Sequence, residues 1–317
     1  MTSIVKESVV RADARTTGSV PTAPRRRRLW TRNARVGLLF VLPAAVYVGI
    51  FHLAPVIYGF VISLTDFNPL SRDAADFVGG DNYGRLLQDP AFGNALLVTG
   101  QYVLLVLPIT VILALGLAML VNRPFKGVGI VRSAMYVPHI VSLTAVSMIW
   151  LWMYSQNGLF NEILSGIGLP TQSWLLEQDS ALTAVAAMRI WKALGSNMVL
   201  LLAGLQTVPR ELYEAGRVDG AGAWQLFRHI TLPSLRPILV YVVAMDIIFL
   251  AQGFAEIYVL TGGGPLGSTT TVNYIVYTEA FQYNRMGDAS AMAFVLFAFI
   301  AAASILSVKA LMGRREK

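Results

Sequence analysis

The chain has 317 residues, 55 % of them hydrophobic and only 14 % charged, with a formal net charge of +7. Soluble domains carry about 25 % charged residues, so this balance excludes an ordinary soluble domain and points to a polytopic membrane protein. The lack of cysteine excludes disulfides, thiolate metal sites and thiol catalysis.

Residues 1–33 are rich in Arg, Thr, Ser and Ala and have no apolar period, so they read as a disordered basic tail. A hydrocarbon core of about 30 Å takes roughly 20 apolar residues per helix. Six runs qualify, at 36–64, 98–121, 131–154, 181–206, 237–260 and 289–311. The first is too long for a signal-peptide core and lacks a small-residue cleavage site, so it is read as an uncleaved span. "FNPLSRDAADFVGGDNYGRLLQDP" (67–90) has the turn chemistry of an outer loop, and "NGLFNEILSGIGLPTQSWL" (157–175) is expected to hold a short interfacial helix. No internal repeat stands out. The expected fold is all-α, with six transmembrane helices in one domain over 34–317.

Basic residues set the orientation. Nine lie in the first 35 residues. The connection 65–97 has Arg72 and Arg85 against five aspartates, 155–180 has no Lys or Arg, and 261–288 has Arg285 alone. The alternate connections hold Arg123 and Lys126, then Arg210, Arg217, Arg228 and Arg236, then Lys309, Arg314, Arg315 and Lys317. Lys and Arg favour the cytoplasmic side, which puts both termini and the loop 207–236 there. This distribution follows a bilayer and not a nucleic acid.

Energy-yielding and hydrolytic machinery is missing from the pattern. No G-x-x-x-x-G-K-[ST] phosphate cradle occurs, since "TGGGPLGSTTT" (261–271) has no lysine, and no G-x-S-x-G or H-E-x-x-H is found. His52, His139 and His229 fall in different layers, so no metal is expected. Uphill transport would therefore draw on an ion gradient or on a partner that hydrolyses nucleotide.

The most polar internal connection is "ELYEAGRVDGAGAWQLFRHITLP" (211–233). Residues 209–220 read as a short helix, with Pro209 in its first turn and Glu211 and Glu214 near the positive end of its dipole. Gly216 and Gly220, four apart on one face, allow close approach or a break. A second short helix over 222–230 carries Trp224, Phe227 and Ile230 at helical spacing. The spacing alone also fits an amphipathic linker resting on headgroups.

Glu214-Ala215-Gly216, three residues, Gly220, nine residues, then Ile230-Thr231-Leu232-Pro233 resembles the EAA loop of binding-protein-dependent ABC importer permeases, and Asp219-Gly220-Ala221 matches its D-G-A. Gly216 departs from the usual alanine, at a helix cost of roughly 1 kcal/mol. "RSAMYVPHIVSLTAVSMIWLWMY" (132–154), "GLFNEIL" (158–164), "WKALGSNMVLLLAGLQTVPRELYEA" (191–215) and "YVLTGGGPLGSTTT" (258–271) resemble the sugar-permease branch, typified by maltose and glycerol-3-phosphate import. The resemblance covers about residues 36–311. It implies a type I ABC importer transmembrane domain whose 209–233 loop couples to an ATPase through Glu211, Glu214, Ala215, Gly216, Asp219, Gly220, Trp224, Phe227, Ile230, Leu232 and Pro233. It also implies partners: a second homologous permease, an ATPase dimer that binds ATP and Mg, and an extracytoplasmic substrate-binding protein. No cofactor is implied in this chain. Gly262, Gly263, Gly264 and Pro265 would form an outer loop near the substrate entrance.

Ionisable residues inside spans are costly and mark cavities or relays. Arg189, Lys192 and Ser196 share one face of the fourth span, with Asn197 at its margin. Gln252 and Glu256 share a face of the fifth, with Asp246 a quarter-turn away. Trp191, Tyr241 and Tyr258 could stack on sugar rings. The alternatives are that Arg189 snorkels to the outer interface, that Asp246 pairs with Arg189 or Lys192, and that Trp150, Trp152 and Trp174 form an interfacial belt. Arg189 and Lys192 could favour an acidic sugar or serve structure alone. A different function class also remains, an ion-coupled secondary transporter with Asp246 and Glu256 as coupling carboxylates. It would call for repeats and leaves 211–233 unexplained.

Overall fold

The computed structural model describes residues 32–72 and 75–312. The expected disordered tail lies outside them, save for its last two residues, and so does the basic C-terminal end. Among the described residues the regular elements are helical, apart from one isolated bridge between Thr65 and Phe77. Contacts divide the chain into two units, 1–55 and 56–317. In the first, α1 (Arg32–Val48) runs into a π-helical turn, Gly49–Leu53, before α2 (Ala54–Ser63) begins. Pro55 has no N–H to offer the Phe51 carbonyl, which favours the wider turn.

The second unit holds the rest of α2 from Val56, then α3 (Asp81–Gln88), α4 (Pro90–Val121), α5 (Val128–Ile140), α6 (Leu143–Met153) and α7 (Leu159–Gly166). After them come α8 (Gln178–Gln206), α9 (Arg210–Val218), α10 (Ala223–Leu226), α11 (Leu232–Ser234), α12 (Arg236–Ala251), α13 (Ala255–Leu260), α14 (Val272–Tyr277) and α15 (Met286–Met312). The second span begins earlier than its apolar run because Asp89 caps it: the carboxylate accepts from the Ala91 N–H at 2.8 Å, with Pro90 in the first turn. α4 packs along α8. Ala114 and Ala118, one turn apart and fully buried, let the two backbones approach, and Met198, Leu201 and Leu205 fill the seam. A second cluster, including Tyr102, Val106, Met188, Ile257 and Met292, joins α4 and α8 to α13 and α15.

Two expected spans are broken. The third, 131–154, is α5 and α6 meeting at 98°. Pro138 weakens the end of α5, and Ser142 restarts the helix by accepting from the Ala145 N–H at 3.2 Å. The fifth, 237–260, divides into α12 and α13 around Gln252–Phe254. Gly253 sits in the gap, where a Cβ would come within 3.1 Å of both the Leu250 carbonyl and the Tyr102 ring.

A break within a bilayer frees carbonyls where no water can serve them. Side chains take that role at both places. Lys192 Nζ donates to the carbonyls of Pro138, His139 and Val141 at 3.0, 3.4 and 2.6 Å. Asn273 donates to the Gln252 carbonyl at 3.0 Å and Thr271 to that of Gly253 at 2.8 Å. Four helices, Gly37–Ser63, Pro90–Val121, Gln178–Gln206 and Met286–Leu311, are long and apolar enough to cross a membrane. The number rises to as many as six if the bent pairs α5–α6 and Ala223–Ser234 with α12 each count as one span.

Gly195 fixes how closely α8 meets α5, since a Cβ there would run into the Met135 carbonyl. Gly195→Ala is expected to lower the thermal-unfolding midpoint of the purified protein, at an overpacking cost of about 1–3 kcal/mol. Gly116→Ala, with open space around it, should not lower it.

Candidate functional site

A cavity of about 380 Å³ lies between α8 and α12, with His139 from the end of α5 on its wall. It brings together five of the expected pathway residues, Arg189, Lys192, Asn197, Tyr241 and Asp246. The walls are tied across the cavity by one bond, in which Asn197 Nδ2 donates to Asp246 Oδ2 at 2.6 Å. Of the alternatives, the pairing of Asp246 with Arg189 or Lys192 gives way to this amide. Lys192 turns instead to the broken third span, where its three N–H groups meet three carbonyls.

Arg189 does not snorkel. Its side chain is largely buried, and its Nε lies 3.9 Å from Glu256 Oε1. Tyr102 donates its hydroxyl to the same carboxylate oxygen at 2.9 Å. Glu256 Oε2 and Arg189 Nε are buried without a hydrogen-bond partner, so this pair is held by charge and packing more than by ideal geometry. Removing either partner would strand the other's charge. Gln252 and Glu256 do not share a face, because the break separates them: Gln252 is exposed while Glu256 is buried at 1 %. Both cations of the cavity wall thus face groups of the protein, Lys192 three backbone carbonyls and Arg189 the buried Glu256 carboxylate. What remains for a solute is a set of hydroxyl-binding groups: the Asp246 carboxylate, the Asn197 amide and the half-exposed Tyr241.

Trp191 and Tyr258 lie outside this cavity. The Trp191 ring packs on Trp150 at 5.6 Å, in a cluster that continues through Tyr154 and Phe160 to Trp174. Tyr258 joins Phe254, Tyr274 and Tyr277, with centroids 4.9–6.5 Å apart. Sequence reasoning missed His139 as a lining residue, together with Met245 and Phe249. The last two could have been found from the four-residue spacing of Tyr241, Met245 and Phe249, which extends the face carrying Asp246.

The 209–233 connection folds as α9, a turn, α10, a π-helical stretch Phe227–Thr231 and α11. Pro209 precedes α9 as its cap residue with extended backbone, not within the first turn as expected. Gly220 falls outside α9 with φ +80°, so Gly216 and Gly220 do not line one face. The turn needs that left-handed residue, and it closes with the Ala221 N–H donating to the Gly216 carbonyl at 2.8 Å. A hydroxyl pair, Tyr213 and Thr231 at 3.0 Å, pins α9 to the second arm. Glu211, Glu214, Ala215 and Asp219 are exposed, and among the described residues the three carboxylates hold no ion pair. Trp224 stacks on Phe227 at 5.4 Å while remaining 67 % exposed. Gly216 has a local reason: a Cβ there would lie 2.7 Å from Leu226 Cδ2 and 3.2 Å from Ile230 Cδ1. Leu232 is exposed, and Pro233 sits in the first turn of α11.

Gly262 and Gly263 adopt φ of +57° and +82°, a region in which side chains other than glycine are strained. Threonines hold the loop closed: Thr270 donates to the Gly263 carbonyl at 2.7 Å and Thr269 to that of Gly264 at 2.8 Å, just before Pro265.

A cavity between two spans joined by an exposed polar connection fits a solute permease. Residues 103–316 match the family described as the binding-protein-dependent transport system inner membrane component, and the chain belongs to that family. It is a multi-pass membrane permease subunit of the ABC importer type and not an enzyme; in this family ATP and Mg belong to the partner ATPase. The trehalose/maltose transport system permease protein MalF of Thermococcus litoralis is 36 % identical over 298 residues, covering 91 % of this chain and 98 % of its own. The sulfoquinovosyl glycerol transport system permease protein SmoG of Agrobacterium fabrum is 33 % identical over 275 residues, covering 85 % and 89 %. A chain of the crystal structure of a bacterial ABC transporter involved in import of the acidic polysaccharide alginate is similar with a TM-score of 0.77 at 25 % identity, covering 92 % of this chain and 100 % of that one. Family membership disfavours the ion-coupled carrier, which left the 211–233 connection unexplained.

Lys192→Met keeps the aliphatic stem and removes the donors. It is expected to lower the thermal-unfolding midpoint, since each buried acceptor left without a donor costs about 1–3 kcal/mol. An unchanged midpoint would remove Lys192 from this role.

Proposed function

We propose that this chain is one of two homologous permease subunits of an ATP-driven importer for a carbohydrate or related small solute. The solute is of the sugar, disaccharide or glycerol-phosphate type and crosses the cytoplasmic membrane by alternating access. The observation that carries the reading is connectivity. α8 bears Arg189, Lys192 and Asn197, α12 bears Tyr241 and Asp246, and the 209–233 handle is the chain that joins α8 to α12. A force applied to the handle therefore reaches both walls of the cavity.

An ATPase dimer grips the handle through the exposed Glu211, Glu214, Ala215 and Asp219 and the Trp224–Phe227 knob, while Gly216, Gly220, Ile230, Leu232 and Pro233 shape it. Closure of that dimer on ATP moves the handle as a lever, and the two walls exchange inward-open and outward-open states. A substrate-loaded extracytoplasmic binding protein docks on the opposite face, over 67–90, 157–175 and the Gly262–Pro265 loop. Both termini lie in the cytoplasm, in keeping with the alternation of basic connections. The sugar assignment is supported by the sugar names of the relatives, by the segment resemblance and by the hydroxyl-binding lining of the cavity. The internal use of both cations removes any need for an acidic solute.

In the complete importer, Glu214→Lys is expected to abolish ATP-linked sugar uptake while the amount of protein in the membrane is unchanged. Gly220→Val should do the same, because valine is strained at φ +80°. Gly216→Ala is expected to be tolerated: the flexible ends of Leu226 and Ile230 can yield, and alanine recovers about 1 kcal/mol of helix propensity. Wild-type uptake in the Glu214→Lys variant would defeat the assignment of the handle.

A further inference from the structure

Two cavities of about 490 and 600 Å³ flank the root of the handle and share Asn122, Leu205 and Tyr213 in their walls. Arg123 and Arg217 line the first, Arg132 and Arg210 the second. No carboxylate lines either one: Glu211 and Glu214 sit on the same helix as Arg210 and Arg217 but belong to neither wall. Among the described residues none of the four arginines is in an ion pair. Arg132 makes one hydrogen bond, from a terminal guanidinium nitrogen to the Val121 carbonyl at 2.6 Å, and its Nε is buried without a partner.

Each of these adjoining cavities has two guanidinium groups in its wall and no counter-charge, and a buried N–H without an acceptor costs further. An anion in the groove would relieve both. The rest of the wall says which kind of anion. Met119 and Leu120 at the end of α4, Leu205 at the end of α8 and Val128 at the start of α5 make the membrane side of the groove apolar. The arginines gather where those membrane helices end. An acyl chain along α4 and α8 with a phosphate among the arginines satisfies both halves, whereas a free anion would leave the apolar half unexplained. Basic crevices between membrane helices at the cytoplasmic boundary are suited to such headgroups.

We propose that the groove these two cavities form around their shared wall binds anionic phospholipid of the surrounding leaflet, headgroup phosphate meeting Arg123 and Arg217 on one side of Tyr213 and Arg132 and Arg210 on the other. Tyr213 also bonds Thr231 across the handle, so an occupied groove would brace the two arms of the handle against α4 and α8. Lipid charge then becomes an input to coupling, separate from the solute.

The test uses the intact importer, permeases and ATPase purified together, in nanodiscs of phosphatidylcholine mixed with phosphatidylglycerol. Lipid retained after mild detergent extraction is read by native mass spectrometry. Phosphatidylglycerol is expected to stay with the wild-type complex in preference to phosphatidylcholine. Arg132→Gln combined with Arg217→Gln should weaken that retention by roughly tenfold or more, each charge near a headgroup counting substantially. The corresponding double Lys variant keeps the charges and should retain most of the lipid. It decides the matter if the Gln variant fails to assemble.

Equal retention of both lipids, or equal retention in wild type and variants, would overturn the proposal. Displacement of the lipid by inorganic phosphate would mark a free-anion site instead. Loss of the ATPase from the Gln variant with lipid retention unchanged would assign the arginines to protein docking. Retention is read by mass and not by uptake, so it stands or fails independently of which solute is carried.

Discussion

Interrupting a helix inside a membrane is possible only where the freed backbone groups find partners within the protein, and this constraint organises the molecule. The break between α5 and α6 exists because Lys192, one helix away, supplies three donors to the carbonyls it exposes. The break after α12 depends on Asn273 and Thr271 in the same way. Each break places a side chain at or beside the cavity. The first brings His139 to the cavity wall, and the second lets Glu256 leave the line of α12 and settle behind Arg189. A continuous pair of spans would have neither.

The charges of the cavity follow from the same economy. Lys192 is a backbone clamp and Arg189 is set against a buried carboxylate, so cations that suggest an anionic cargo in sequence are structural in space. Asp246 and Asn197, one on each wall, form a direct bridge between the helices that must separate if the cavity is to open to alternate sides. That bridge and the handle are the two connections between α8 and α12 named by function. One is a single short hydrogen bond and the other is the chain itself. In the proposed transport cycle, a lever acting through the chain would have that one hydrogen bond to break between the two walls.

Much of this architecture is legible in the sequence, for identifiable reasons. Six apolar runs and the alternation of basic connections express the bilayer directly, since length and charge placement are one-dimensional properties. The handle is legible because its glycines and prolines serve local geometry: Gly220 needs a left-handed backbone, and Pro233 opens a helical turn. The breaks are harder to read. Pro138 and Gly253 weaken a helix, but what allows an actual bend is a partner 54 residues away in one case and 18 in the other. For the same reason the pattern could not show that an amide meets Asp246, and it put Gln252 and Glu256 on a face that does not exist. Helical spacing holds only while the helix does. Gly216, the departure in the motif, is explained by Leu226 and Ile230 folding over it, a contact that no spacing rule contains.

In the proposed function a solute moves through this chain by force delivered from a nucleotide-hydrolysing partner. The most direct measurement is sugar uptake into proteoliposomes holding the complete importer and its binding protein. ATP is placed with the ATPase, and ionophores are added to collapse every ion gradient. Uptake should require ATP and survive the ionophores. Uptake that proceeds without ATP on an imposed proton or sodium gradient, and stops when the ionophores are added, would contradict it.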